Sequence, residues 1–110
     1  MQVRLCGIDA PQLQHGKTSG QAREKLRSLV AASENKVMVI PVETDSDART
    51  VAEVMTTGKD GIEVSFIEEM LKSGMAYYRK SASICPNHLA FENAEKLAIA
   101  SNKGVWSQSR

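Results

Sequence analysis

Aromatic residues are scarce in this chain of 110 residues: two phenylalanines, two tyrosines and one tryptophan. So few rings leave little material for a base-stacking platform, which argues against a tight, sequence-independent single-strand binder. Long apolar runs are missing. None approaches the ~20 residues of a helical membrane span, so no membrane association is expected. No basic-then-apolar leader opens the chain, and the default expectation is a cytoplasmic protein without a signal peptide. Cysteine is limited to Cys6 and Cys85, which form no metal-ligand pattern. His15 and His88 lack a Cys or His neighbour at zinc spacing. His15 reads as a solvated loop residue, and His88 falls in the first turn of the last helix. Cys6 lies in an apolar run and reads as a buried thiol, whereas Cys85 precedes Pro86 in a loop. Spacing alone does not decide whether the two pair.

The chain does have the length and apolar content for one domain, residues 1–110, with a single modest core. Its net charge of +1 hides an uneven distribution. Residues 1–40 carry six basic and three acidic side chains, residues 41–69 two and eight, and residues 70–110 six and two. The ends are basic and the middle acidic. A basic face for a polyanion is compatible with that pattern, as are ordinary solvated surfaces.

Local patterns give the order strand, helix, strand, strand, helix, short strand, helix. Val3, Leu5 and Ile8 mark a strand over 2–8, closed by a loop over 9–17 that contains Pro11. Thr18 with Gln21 forms a capping box. Ala22, Leu26, Leu29 and Val30 then recur at helical spacing, with Arg23 and Arg27 facing away, which predicts a helix over 19–32. Residues 37–40 read as a buried strand, 44–48 as a polar turn, 51–56 as a strand and 57–61 as a tight turn. Ser65 and Glu68 form a second capping box. Phe66, Ile67, Met70 and Leu71 supply an apolar face, and Gly74 a stop. Asn87 caps a third helix with Phe91, Ala94, Leu97 and Ala98 inward, ended by Gly104. Val105 and Trp106 fold back to pack. The linker at 44–50 is too short for a parallel crossover. This predicts antiparallel pairing in an α+β architecture.

Three charged residues stand where chemistry could be built. Arg4 alternates with Val3 and Leu5 and so faces away from them. Asp9 sits at the strand end, before a proline-locked turn. Arg49 sits where the acidic turn enters a strand. A carboxylate can hold a hard cation through oxygen, and each guanidinium can grip two phosphate oxygens. Singly, each residue also suits a turn or a solvated strand.

Together they match a known pattern. Arg4-Leu5-Cys6-Gly7-Ile8-Asp9-Ala10-Pro11 resembles the first motif of the staphylococcal-nuclease-like (thermonuclease) family, Arg-Leu-x-x-(Ile/Val)-Asp-(Ala/Thr)-Pro-Glu. Thr44-Asp45-Ser46-Asp47-Ala48-Arg49 resembles its second, Thr-Asp-x-Tyr-Gly-Arg. Gly58-Lys59, Phe66-Ile67 to Leu71, Ser73-Gly74-Met75-Ala76, Cys85-Pro86-Asn87, Ala94-Glu95 and Gly104-Val105-Trp106-Ser107 resemble the rest in order. The resemblance implies an oligonucleotide-binding (OB-fold-like) partial antiparallel β-barrel with three α-helices. It also implies calcium-dependent hydrolysis of phosphodiester bonds in DNA or RNA. By position, Arg4 would stabilise charge on the phosphate. Asp9 and the Ala10 carbonyl would ligate calcium. Arg49 would clamp the phosphorus and its leaving group.

Three departures qualify that expectation. Gln12 stands where the family has its general-base Glu, and an amide cannot accept the proton; such help is worth roughly 10²–10⁴-fold. The family's first two strands, with a second calcium-binding Asp, have no counterpart before Arg4. That leaves open sheet edges; either the chain is a fragment or a second chain covers them, and a homodimer is the favoured cover. Asp47 and Ala48 replace Tyr-Gly, adding a carboxylate beside the substrate. Tyr77 and Tyr78 lie near the family's nucleotide-touching tyrosines, where core packing is an equal reading. The expected activity is therefore weakened or lost nuclease action, single-stranded substrates being favoured. The alternative is a non-catalytic nucleic-acid- or protein-binding module of the same fold.

Overall fold

A computed structural model describes residues 3–9, 17–33, 36–57, 60–79 and 85–108. The elements in chain order are β1 (Val3–Leu5), β2 (Ile8–Asp9), α1 (Lys17–Ala32), β3 (Met38–Thr44), β4 (Thr50–Thr57), β5 (Glu63–Ser65), α2 (Phe66–Lys72), β6 (Tyr77–Tyr78) and α3 (His88–Ala100). A short 3-10 helix, Gly104–Gln108, follows.

The α+β class matches the sequence reading, and the described strands form a sheet that does not close. β4 is its central strand. It pairs antiparallel with β3, Val39 opposite Val54, and with β5, Thr56 opposite Val64. The short linker between β3 and β4 dictates this hairpin pairing. β1 departs from the antiparallel expectation: it runs parallel to β4, with Arg4 opposite Val51. The chain from β1 to β4 includes the whole of α1 and β3, a connection long enough for a parallel crossover. Val51, Ala52, Glu53 and Val54 are all buried, as expected of a strand covered on both faces.

The predicted strand over 2–8 is broken. Cys6 and Gly7 form a turn, and the chain re-enters a second, two-stranded sheet in which Ile8 opposes Tyr78 and Asp9 opposes Tyr77. β3 runs further than the apolar run 37–40, through Pro41, with a register shift between Pro41 and Glu43. Proline cannot donate to a ladder and is tolerated on a strand with one paired edge and a bulge. β5 is an element the sequence reading missed, because Glu63-Val64-Ser65 is too short to show a period.

α2 starts as its capping box requires: the Ser65 hydroxyl accepts from Glu68 N–H at 3.2 Å. α1 starts at Lys17, so Thr18 lies within the helix rather than before it; its side chain is outside the described ones. Asn87 does precede α3 but makes no side-chain cap. Instead its side-chain amide and backbone N–H donate to the fully buried Glu53 carboxylate at 2.6 and 2.9 Å. A buried carboxylate is tolerated only when its oxygens are satisfied in this way.

The core joins Cys6, Val51, Ile67, Met70, Leu71, Phe91 and Ala94, with Leu5, Ile8 and Leu26 packed against it. Two expected core residues are outside it: Leu97 is 58% exposed and Val30 41%. At about 100° per residue, Leu97 lies about 120° round the helix from Phe91, off the stripe made by Phe91, Ala94 and Ala98. Tyr77 packs edge-on against Trp106, centroids 5.5 Å apart, and Tyr78 packs against the core. Core packing is therefore what Tyr78 does, while half-buried Tyr77 packs on the half-buried Trp106 ring outside that core.

Cys6 and Cys85 are bonded to each other, with Cα atoms 6.1 Å apart. Both are buried, so the expected free thiol at Cys6 is corrected to a buried disulfide. The bond ties the turn after β1 to the chain entering α3.

Candidate functional site

Strand alternation places Arg4 on the opposite face from Val3 and Leu5. Val3 and Leu5 line an apolar groove with Val39, Val54 and Phe66, while Arg4 lines a polar recess of about 240 Å³ on the other face. The floor of that recess is one row across the sheet. Val51 on β4 lies between Arg4 on β1 and Glu43 on β3. At about 4.8 Å per strand, Arg4 and Glu43 start about 10 Å apart at their backbones, room for a phosphate between them. Gly7, Ile8 and Arg79 form one wall, and Thr44, Asp45 and Ser46 the other.

The second wall is a turn folded around one carboxylate. Asp45 Oδ1 accepts from Asp47 N–H and Arg49 N–H, each at 2.9 Å. Its other oxygen, Oδ2, accepts from Arg49 Nε at 3.0 Å. Arg49 Nη2 reaches Asp47 Oδ2 at 3.2 Å. The Arg49 N–H bond, foremost, holds the Asp45 carboxyl below the ordinary aspartate range. Burial opposes the shift, and the Asp47 N–H and the Arg49 guanidinium add to it. Ala48 takes φ 62°, a left-handed conformation unusual for a residue with a Cβ.

The sequence-derived site residues are thus distributed unevenly. Arg4 lines the recess. Asp9 lies on β2 opposite Tyr77, close in sequence to the recess residues Gly7 and Ile8; its side chain lies outside the described ones. Ala10, Gln12 and His15 are outside the described residues altogether. Arg49 stands at the head of β4, paired with two carboxylates of its own turn, and its turn partner Asp45, not Arg49 itself, lines the recess. Among the described residues no three His, Cys, Asp or Glu side chains gather as metal ligands. His88 is engaged with Glu92 at 3.3 Å, away from the recess.

Sequence reasoning missed Glu43 and Arg79. Glu43 carries no motif signal beyond adjacency to Thr44. Arg79 follows the Tyr77-Tyr78 pair directly, and only the β2–β6 pairing reveals that it borders the recess. Its N–H donates to Gly7 O at 2.7 Å. Tyr78 beside it has a hydroxyl pKa pushed up by burial, then by the charges of Glu92 and Glu95.

The structure by itself defines the class only as an α+β domain with an open sheet, a strand-borne arginine in a recess and an Asp-centred turn beside it. The match to known sequences makes the class specific. Residues 2–108 match the family described as staphylococcal nuclease homologue, and the chain belongs to that family. It is similar to the probable endonuclease LCL3 of Scheffersomyces stipitis, 33% identical over 97% of this chain and 48% of that protein. It is also similar to that of Komagataella phaffii, 36% identical over 98% and 50%, and that of Candida glabrata, 30% identical over 98% and 44%. The chain thus spans about half the length of these curated relatives.

Proposed function

We propose that this domain binds DNA or RNA by seating a backbone phosphate in the recess beside Arg4, and that it hydrolyses the phosphodiester bond weakly. The carrying observation is Arg4 itself. It projects from β1 into the recess and away from the apolar face, flanked by the Asp45-centred turn. Membership of the nuclease family and relatives named as probable endonucleases support the substrate class. A guanidinium placed there can stabilise charge on the phosphate. Family resemblance further assigns calcium to Asp9 and the Ala10 carbonyl; oxygen donors of this kind suit that cation, which would supply charge to polarise the phosphate.

Weak turnover follows from two residues. Gln12 cannot serve as a base. Arg49, assigned to the leaving group by the resemblance, is held by Asp45 and Asp47. Single-stranded substrate is favoured because it fits a shallow recess without opening a duplex.

We also infer that a second copy of the chain covers the open edges. Among the described residues β1 and β3 pair only with β4, and Val3, Val30 and Val37 are exposed round the apolar groove between them. Symmetric pairing is the commonest cover for such a surface. Sedimentation equilibrium giving a monomer at all concentrations would refute it.

The functional test is cleavage and binding of a labelled single-stranded DNA, with calcium and then with chelator. Calcium-stimulated binding or slow cleavage that disappears in Arg4→Ala supports the reading. A folded protein that neither binds nor cuts DNA or RNA overturns it.

A further inference from the structure

We propose that Glu95 is a positioning residue of the recess: its carboxylate, reaching across from α3, fixes the wall made by Gly7, Ile8 and Arg79. The assignment rests on the phosphate-binding reading above and concerns what holds that site in shape.

The need for such a residue comes from the small sheet. β2 and β6 have two residues each, and a two-stranded sheet is marginal in water even when longer. Yet this pair carries the wall. Gly7 and Ile8 border the recess from one side of the pairing and Arg79 from the other. β1, with Arg4, belongs to the larger sheet, and the turn at Cys6 and Gly7 joins the two. The wall therefore keeps its place relative to Arg4 through contacts from outside the pair.

Glu95 makes a contact suited to this. In an antiparallel pair successive N–H groups point to alternate sides. Arg79 N–H points to β2 and donates to Gly7 O at 2.7 Å. Tyr78 N–H points the other way, where the small sheet has no further strand among the described residues. It donates to Glu95 Oε2 at 2.7 Å, across 17 positions of chain. The carboxylate acceptor makes this a charge-assisted bond, stronger than an ordinary ladder bond.

The hold passes on to the turn. A Cβ added at Gly7 would stand 3.1 Å from the Tyr78 ring and 3.0 Å from Cys85 Sγ. Gly7 thus lies against both the residue that Glu95 fixes and the disulfide that leads into α3. α3 and the chain entering it anchor the small sheet at two points, Glu95 and Cys85. Glu95 is not itself one of the recess residues; it acts through Tyr78 and Gly7.

The test is equilibrium binding of a fluorescein-labelled single-stranded DNA oligonucleotide in calcium buffer, by anisotropy, well below the unfolding temperature. Glu95→Ala should raise Kd about tenfold, the scale of one backbone donor left without its partner. Charge alone predicts the opposite sign, since losing a carboxylate favours a polyanion. Glu95→Gln keeps an acceptor oxygen and should return most of the affinity. Val54→Ala, in the buried apolar side of the sheet, should lower Tm without moving Kd, which separates position from general stability. Amide hydrogen exchange in Glu95→Ala should quicken at Tyr78 and Arg79 and stay slow in β4. If Glu95→Ala does not fold, Glu95→Asp replaces it: the charge stays, the oxygens draw back by one methylene, and binding should weaken likewise. Unchanged or lower Kd in the folded variant, no recovery in Glu95→Gln, or an equal rise in Val54→Ala overturns this assignment alone. Wild type that binds neither DNA nor RNA overturns it together with the reading beneath it.

Discussion

Gly74 and Gly104 lie backbone against backbone: Val105 N–H donates to Gly74 O at 2.9 Å, a Cβ on Gly74 would strike the Lys103 carbonyl and Gly104 N, and one on Gly104 would strike the Gly74 main chain. Both also take positive φ, 74° and 55°. The contact brings the stop of α2 against the start of the 3-10 helix and seats Val105 in the interior. Gly74→Ala and Gly104→Ala should each destabilise by more than about 2 kcal/mol. A left-handed residue with a Cβ costs about 1–2 kcal/mol, and backbone cannot yield as a flexible side chain can. Urea titration checks this; a loss below about 0.5 kcal/mol in both variants would contradict the close approach.

Ala48 offers the opposite case. Its φ of 62° stands where the family motif has glycine. Relief of left-handed strain is worth about 1–2 kcal/mol, and glycine's greater freedom in the unfolded chain takes back about 0.4–1 kcal/mol. Ala48→Gly should therefore stabilise by about 0.5–1 kcal/mol. Thermal unfolding reads the sign, and a lower Tm would show that the turn does not bear that strain.

The disulfide closes a sequence separation of 79 residues. Constraining so long a loop limits the unfolded chain, and removing such a bond typically costs about 2–5 kcal/mol. Reduction, or the double substitution Cys6→Ala with Cys85→Ala, should lower unfolding stability within that range. Mass spectrometry after thiol alkylation without reductant should find neither cysteine labelled.

Asp45 makes the turn sensitive to acid. Its folded pKa is depressed, foremost by the Arg49 N–H. Its stabilisation is therefore complete above the unfolded value of about 3.9 and is lost as pH falls through the lower folded value. The gap in urea midpoint between wild type and Asp45→Asn should be constant near neutral pH and close on acidification below about pH 4. A gap that widens in acid would reverse the assigned direction.

Gln12 is the simplest handle on turnover. Gln12→Glu should raise single-turnover cleavage of single-stranded DNA in calcium by about 10²-fold or more, the lower range of general-base help, with little change in Kd. If cleavage stays at the wild-type level while binding is intact, the missing base is not what limits this chain.

Much of the molecule was legible in the residues alone, where the signal is local. Ser65 with Glu68 specifies how α2 begins. The spacing of Phe66, Ile67, Met70 and Leu71 specifies its buried face. The alternation of Val3, Arg4 and Leu5 sets Arg4 apart from the apolar side. Leu97 was misread because apolar character alone does not say where a marginal position falls on a helix whose buried stripe is narrow. Asn87 was placed correctly before α3 but for the wrong interaction, since Glu53 is 34 positions earlier in the chain.

What the sequence by itself determined is the family motif, the helices, the hairpin of β3 and β4, and the identity of Arg4, Asp9 and Arg49 as residues of interest. Only the tertiary structure decided that β1 lies parallel to β4, that Cys6 bonds to Cys85, that Arg49 is turned onto Asp45 and Asp47, and that Arg79 borders the recess with Arg4. The reason is range. Capping and periodicity act over a few residues and leave a trace in the order of the chain. Pairing of β2 with β6 joins residues about 70 apart, and no local pattern records which strand edge a distant segment will meet.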